Sequence, residues 1–230
     1  MIVEICCTST PSLKNAIKGG ASRLEICEHL MEDGLTPSPT FLQEVIETTR
    51  LPIHVLIRPR RGNFTYSYEE IKTVEEQIEW AQSMGVQGVV IGALNEDRSL
   101  PLPVLKKWVA TAKSMDLTFH RAFDRVIHAE ESLKKIIDLG FNRVLTSGQQ
   151  QTALQGIGLL NKLNQIAQGK LVVMPGGGIN DQNCDLFFKE GFDEIHLSGK
   201  GKEKTALGEP IADLNTIRKV VACAQQYQQM

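Results

Sequence analysis

Two short stretches of this sequence nearly repeat one another: Val3-Glu4-Ile5-Cys6 and Leu24-Glu25-Ile26-Cys27. Side chains two apart on a strand share a face, so each stretch would aim a carboxylate and a thiol the same way. Neighbouring strands lie ~4.8 Å apart, and two thiols at the ends of adjacent strands can share one soft metal ion. Thiolates favour Cu(I) or Zn among biological metals. With two sulfurs, Cys6 and Cys27, and no evident third ligand, the pattern suits a low-coordinate soft ion such as Cu(I) better than tetrahedral zinc. The spacing leaves a second reading open, in which both cysteines are small buried packing residues. Glu4 and Glu25 are harder to place in an interior, and need partners or solvent.

A second set of residues could supply those partners. Ile57-Arg58-Pro59-Arg60-Arg61-Gly62 follows one β-branched run, and Thr118-Phe119-His120-Arg121-Ala122-Phe123-Asp124 follows another. Arginine pairs bidentately with a carboxylate or holds an anionic ligand. Histidine titrates near neutrality and serves as acid or base. Glu4, Glu25, Arg58, His120 and Asp124 therefore have the make-up of an enzyme site, with a structural salt-bridge network as the competing reading. A third group is glycine-rich: Met174-Pro175-Gly176-Gly177-Gly178-Ile179, with His196-Leu197-Ser198-Gly199 some twenty residues on. Free backbone N–H groups in such turns bind phosphate and other anions, so Gly176, Gly177, Gly178, Ser198 and Gly199 form a candidate anion site. Tight turning alone also explains the glycines. His54 and His196 stand singly on predicted strands, where a satisfied core or rim histidine is the plainer reading.

These groups act together only if the chain brings them to one place. Short β-branched runs alternate with stretches of helical period. The predicted strands are Ile2–Cys6, Arg23–Cys27, Ile53–Ile57, Gly88–Ile91, Leu117–His120, Arg143–Thr146, Leu171–Met174 and Glu194–Leu197. Predicted helices fill the gaps. Ser38-Pro39 reads as N-cap and first turn of Pro39–Thr48, and Ser67-Tyr68-Glu69-Glu70 as a capping box opening Ser67–Met84. Thr152–Ala167 and Asp181–Glu190 precede the last two strands, and a final helix runs from about Ile211 to Tyr227. Several helices end at Gly and pass into the next strand at once, as in βα repeats. Strict alternation implies parallel strands with right-handed crossovers. Eight repeats in 230 residues is the count of a single-domain (β/α)8 TIM barrel spanning residues 1–230. A doubly wound open sheet is the alternative, but the turn Cys7-Thr8-Ser9-Thr10-Pro11 lacks a dinucleotide-binding glycine fingerprint. Barrels carry their sites at the C-terminal ends of the strands, where all three groups fall.

Composition narrows the partners. The formal net charge is -2, and 42% of residues are hydrophobic. There is no basic face for nucleic acid. No apolar run approaches the ~18 residues of a membrane span, and the opening Met1-Ile2-Val3-Glu4 lacks a signal-peptide n-region. Five scattered cysteines point to reduced thiols in a cytosol. The expected partner is a copper ion or a small anionic ligand.

The quoted motifs, with Gly20-Ala21-Ser22-Arg23, Gly34-Leu35-Thr36-Pro37-Ser38, Tyr66-Ser67 and Arg143-Val144-Leu145-Thr146-Ser147-Gly148, resemble those of the CutC family of copper homeostasis proteins. The resemblance runs from residue 1 to about residue 200. It implies a cytoplasmic (β/α)8 barrel, a homo-oligomer, and copper handling with Cu(I) on Cys6 and Cys27; it brings no established reaction. After Gly199 the family carries a longer loop of basic and polar residues. Here Lys200–Glu209 is short, and Lys200, Lys202 and Lys204 give it positive charge suited to an anion.

Overall fold

The computed structural model describes residues 1–228. Among the described residues, eight parallel strands alternate with eight α-helices, and a two-stranded hairpin follows the eighth strand. In chain order they are β1 (Ile2–Cys7), α1 (Thr10–Gly19), β2 (Arg23–Ile26), α2 (Pro39–Thr48), β3 (Ile53–Leu56), α3 (Tyr68–Ser83), β4 (Gly88–Ile91), α4 (Leu102–Ala112), β5 (Asp116–Phe119), α5 (Ala129–Asp138), β6 (Arg143–Thr146), α6 (Ile157–Ala167), β7 (Val172–Pro175), α7 (Cys184–Lys189), β8 (Glu194–Leu197), β9 (Lys200–Lys204), β10 (Pro210–Ala212) and α8 (Leu214–Gln228). Strands pair in sequence from β1 to β7, and β8 returns to β1. A parallel bridge between Gly176 and His196 joins the two ends of the sheet. The fold is the (β/α)8 barrel, in a single domain.

Local chemistry accounts for the helix starts. The Ser38 side chain accepts from the Phe41 backbone N–H ahead of Pro39. Ser67 and Glu70 complete both halves of the capping box. Gly20, at φ 85°, provides the left-handed residue that ends α1.

The residues that face outward from the strands meet the helices. Ile5, Cys7, Leu24, Ile26, Val55 and Val89 belong to one large apolar layer between sheet and helices. A second, small apolar cluster of Cys6, Cys27, Leu56 and Val90 caps the barrel's interior. Most of what lies beneath it is polar: Glu4, Arg23, His54, Thr118 and Glu194 are all buried. Parallel strands covered on both faces read as near-continuous apolar runs. This barrel departs from that rule on its inner face alone.

Three segments differ from the sequence reading. Residues 200–212, expected as a loop running into a helix, form an antiparallel hairpin of β9 and β10. Ala212 ties it to α1: its N–H donates to Ser12 Oγ and its carbonyl accepts from Asn15 Nδ2. The expected helices Thr152–Ala167 and Asp181–Glu190 start later, at Ile157 and Cys184. The first is delayed because Gly148 and Gly156 pack backbone to backbone, so closely that a Cβ on Gly156 would lie 1.9 Å from the Ser147 carbonyl oxygen. The second is delayed because Asn183 Oδ1 accepts from the Asn180 N–H and closes a turn there.

Candidate functional site

A cavity of about 1530 Å³ opens at the C-terminal ends of the strands. Cys6, Glu25, Cys27, Arg58, His120 and His196 all line it. The β1–β2 register sets Cys6 opposite Glu25, and Cys27 lies one residue past β2. The Cys6 and Cys27 sulfurs are 3.2 Å apart, in hydrogen-bond contact. That bond and burial push the Cys6 thiol well above its usual range.

Below the thiols lies a connected set of charges. Arg23 donates through Nε to Glu4 and through Nη2 to Glu194. Arg143 joins Glu194 at 2.8 Å and Asp116 at 2.9 Å. His196 Nδ1 lies 2.8 Å from Glu4 Oε1, and its Nε2 lies 3.7 Å from Glu25 Oε2. Burial alone would raise the Glu4 pKa, but the Arg23 charge and the His196 hydrogen bond overcome it and hold Glu4 far below the ordinary carboxylate range. Ionised Glu4 can only accept, so Nδ1 carries a proton in either charge state of the imidazole, and in the neutral form the Nε2 lone pair faces Glu25 and the mouth. For Glu25 burial outweighs the opposing His196 charge and raises its pKa. Burial also depresses His54, to about 4. For His196 burial works downward, but Glu25 and Glu4 outweigh it and raise its pKa.

The expected site residues thus divide. Cys6, Cys27, Glu25 and His120 face the cavity, whereas Glu4 is fully buried beneath it and acts through His196. Arg58 is a clamp rather than an exposed anion hook. Its Nη1 donates to the Glu32 and Gly34 carbonyls and its Nη2 to the Gly62 carbonyl, while Phe64 covers its guanidinium at 5.1 Å. Asp124 organises the turn after β6, accepting from Thr146 Oγ1, the Ser147 N–H and Arg121 Nε. Gly177, Gly178, Ser198 and Gly199 line the cavity. Gly176 sits in the barrel wall, where a Cβ would come within 2.4 Å of Leu145 Cδ1.

His120 is held by its own loop. Its Nδ1 accepts from the Ala122 N–H at 3.1 Å, which places the ring proton on Nε2. Burial and the nearby Arg58 charge lower its pKa to about 3. It is a neutral imidazole, and its Nε2 has no partner among the described residues.

Sequence reasoning passed over Arg23, Arg143, Glu194 and His196 as site residues. The signal was present in period two: Arg23 precedes Glu25, and Glu194 precedes His196, by two residues. Each pair therefore lies on one strand face.

An eight-stranded parallel barrel with a thiol pair, a histidine and a carboxylate at its mouth is a TIM-barrel protein with a candidate ligand or metal site there. The chain belongs to the CutC family, whose model matches residues 1–201. It is 42% identical over 210 residues to a family protein CutC of Bacteroides fragilis, covering 90% of this chain and 83% of the relative. It is 40% identical over 207 residues to the copper homeostasis protein cutC homolog of Homo sapiens, covering 90% and 76%. A solved CutC structure from Streptococcus agalactiae superposes with a TM-score of 0.82 at 27% identity, covering 86% of this chain and 98% of that one. A thiamine phosphate pyrophosphorylase of Pyrococcus furiosus shares the fold at a TM-score of 0.65 and 15% identity, covering 98% and 96%. No helix among the described residues is long and apolar enough to cross a membrane.

Proposed function

We propose that the protein serves copper homeostasis by binding Cu(I) through Cys6 and Cys27 at the barrel mouth. The observation that carries this reading is the sulfur–sulfur contact of 3.2 Å beside an open cavity. Metal–sulfur bonds of ~2.3 Å at a tetrahedral angle would set the sulfurs roughly 3.8 Å apart, and a linear ion would set them ~4.6 Å apart. Copper therefore enters by parting the pair, through rotation about the cysteine χ1 angles, and replaces the thiol protons. Five free cysteines fit a reducing cytoplasm. The family resemblance supports a homo-oligomer.

The test is an anaerobic Cu(I) titration against a competing chelator. Wild type should bind about one ion per chain, and a Cys6→Ser/Cys27→Ser variant should lose it. Binding indifferent to both cysteines refutes the reading.

The open cavity favours a second reading, an enzyme acting on a phosphorylated or carboxylated small molecule. Glu25, oriented His196 and the His120 Nε2–H would serve proton transfer and hold a developing oxyanion. Gly177, Gly178, Ser198 and Gly199 would supply the anion's donors. Glu4 and Asp124 would position these groups, and Arg58 would brace the loops.

A further inference from the structure

We propose that Cys6, Glu25 and His196 form a binding site for a divalent metal ion of borderline softness, zinc above all, with its remaining coordination position open to the mouth cavity. One ligand atom from each residue lies within 4.8 Å of the other two. A tetrahedral zinc, with bonds of ~2.0–2.3 Å, holds its ligand atoms roughly 3.5 Å apart. The pair His196 Nε2 and Glu25 Oε2, at 3.7 Å, already stands at that spacing. A small side-chain adjustment brings the Cys6 sulfur to it.

Three features distinguish this from a chance meeting of polar groups. First, the histidine is prepared as a ligand. Glu4 accepts the hydrogen bond from the His196 Nδ1–H at 2.8 Å, the carboxylate–histidine arrangement that fixes tautomer and ring orientation at metal centres. Arg23 in turn holds Glu4 in place. Second, the charges balance. A thiolate and a carboxylate carry two negative charges, which one divalent ion cancels, whereas Glu4 is already balanced by Arg23. A monovalent ion between two buried thiolates leaves one negative charge uncompensated, which burial penalises. Third, all three ligands line the cavity. Three protein ligands with one free position is the pattern of catalytic rather than structural zinc sites. A water or a ligand oxygen there would meet a Lewis acid.

This site does not rest on the Cu(I) reading. The two share Cys6, but Cys27 lies outside the zinc set and His196 outside the copper set. Zinc binding replaces the Cys6 thiol proton, which leaves to solvent.

The experiment is a Zn2+ titration of the full chain against a chromophoric chelator, with Co2+ as a spectroscopic substitute. Wild type should bind one Zn2+ per chain, and Co2+ should give the thiolate charge-transfer band and visible transitions of a tetrahedral sulfur-containing site. Glu4→Gln should weaken zinc ~10–100-fold, as for a positioning partner one step from the metal. Cys6→Ser, Glu25→Gln and His196→Gln should weaken it more than that. Glu25→Gln nearly preserves side-chain shape, so it reports on binding even if His196→Gln disturbs folding, which circular dichroism would reveal. Cys27→Ser should leave zinc within about threefold of wild type while abolishing Cu(I). Zinc affinity unchanged in Cys6→Ser or Glu25→Gln overturns the proposal. Zinc lost as fully in Cys27→Ser as in Cys6→Ser also overturns it, because the ion would then sit on the sulfur pair.

Discussion

Arg23 is the residue on which the inner face of the barrel turns, and replacing it with methionine tests the role of the buried charges. The guanidinium is 5% exposed and contacts Glu4, Glu194 and the Met174 sulfur. Methionine keeps most of its length and apolar volume, so the loss is chiefly electrostatic. Glu194 retains Arg143 at 2.8 Å, but fully buried Glu4 is left with two histidines. Removing one partner of a buried ion pair costs ~3–5 kcal/mol, against a total stability of ~5–15 kcal/mol for a folded protein. With a urea m-value of ~2–3 kcal/mol/M, a loss of ~4 kcal/mol lowers the midpoint by ~1.3–2 M. The double variant Arg23→Met/Glu4→Gln should recover part of that loss, since no unpaired charge remains. The sign with pH follows from Glu4, whose pKa is lowered in the folded protein. Its contribution is present above the unfolded value and is lost as pH falls below it. The deficit of Arg23→Met should therefore shrink under acid, where Glu4 takes up a proton. A single-variant loss below ~1 kcal/mol, or a double variant weaker than either single one, would refute the reasoning.

Two further outcomes follow from the same interior. His54 and His120 have folded pKa values lowered to about 4 and about 3, so between those values and ~6.5 the unfolded chain binds more protons and stability falls on acidification. Two such groups give at most ~2.7 kcal/mol per pH unit, and Glu25, raised in the folded protein, works against them. His196, raised in the folded protein, contributes fully below ~6.5 and so leaves that slope unchanged. Urea midpoints at pH 6.5 and 5 measure the slope, and a flat or rising stability toward pH 5 contradicts it. Gly88→Ala should cost ~1–3 kcal/mol by overpacking, because its Cβ would lie 2.6 Å from the His54 ring and 2.8 Å from the Asp116 carbonyl. Gly158→Ala, in α6 with nothing within 4 Å, should stabilise by ~0.5–1 kcal/mol; the reverse order in thermal melts would show that the inner face is not sterically filled.

The barrel was legible because its rules are local and repeated. Ser38-Pro39 and Ser67 to Glu70 announce helix starts from sequence alone, and the strand runs recur between them. The hairpin after β8 was not legible: β9 is Lys-Gly-Lys-Glu-Lys and exposed, so its pairing rests on backbone bonds and on the tie of Ala212 to α1, neither of which leaves an apolar pattern. The meeting of Cys6 and Cys27 was readable because their motifs repeat on consecutive strands. Arg58 misled, since an arginine past a strand end looks like an anion hook when its partners are backbone carbonyls, invisible in a side-chain inventory. His196 was missed because its meaning depends on Glu4, 192 residues away.

That last pairing also explains why an interior so polar persists. A buried ion network is seldom more stabilising than apolar residues of the same volume, so Arg23, Glu4, Glu194 and Arg143 are poorly explained as a stability device. Their arrangement has a direction, however. Arg143 and Arg23 fix Glu194 and Glu4, Glu4 fixes the Nδ1 side of His196, and His196 presents Nε2 to Glu25 beside Cys6. Each link removes a rotational or tautomeric freedom from the next. An apolar inner face would fill the barrel equally well but would leave the imidazole free to turn and to carry its proton on either nitrogen. The lower half of the barrel is thus the foundation of the mouth, and its cost in desolvation is offset in the preorganisation of one histidine.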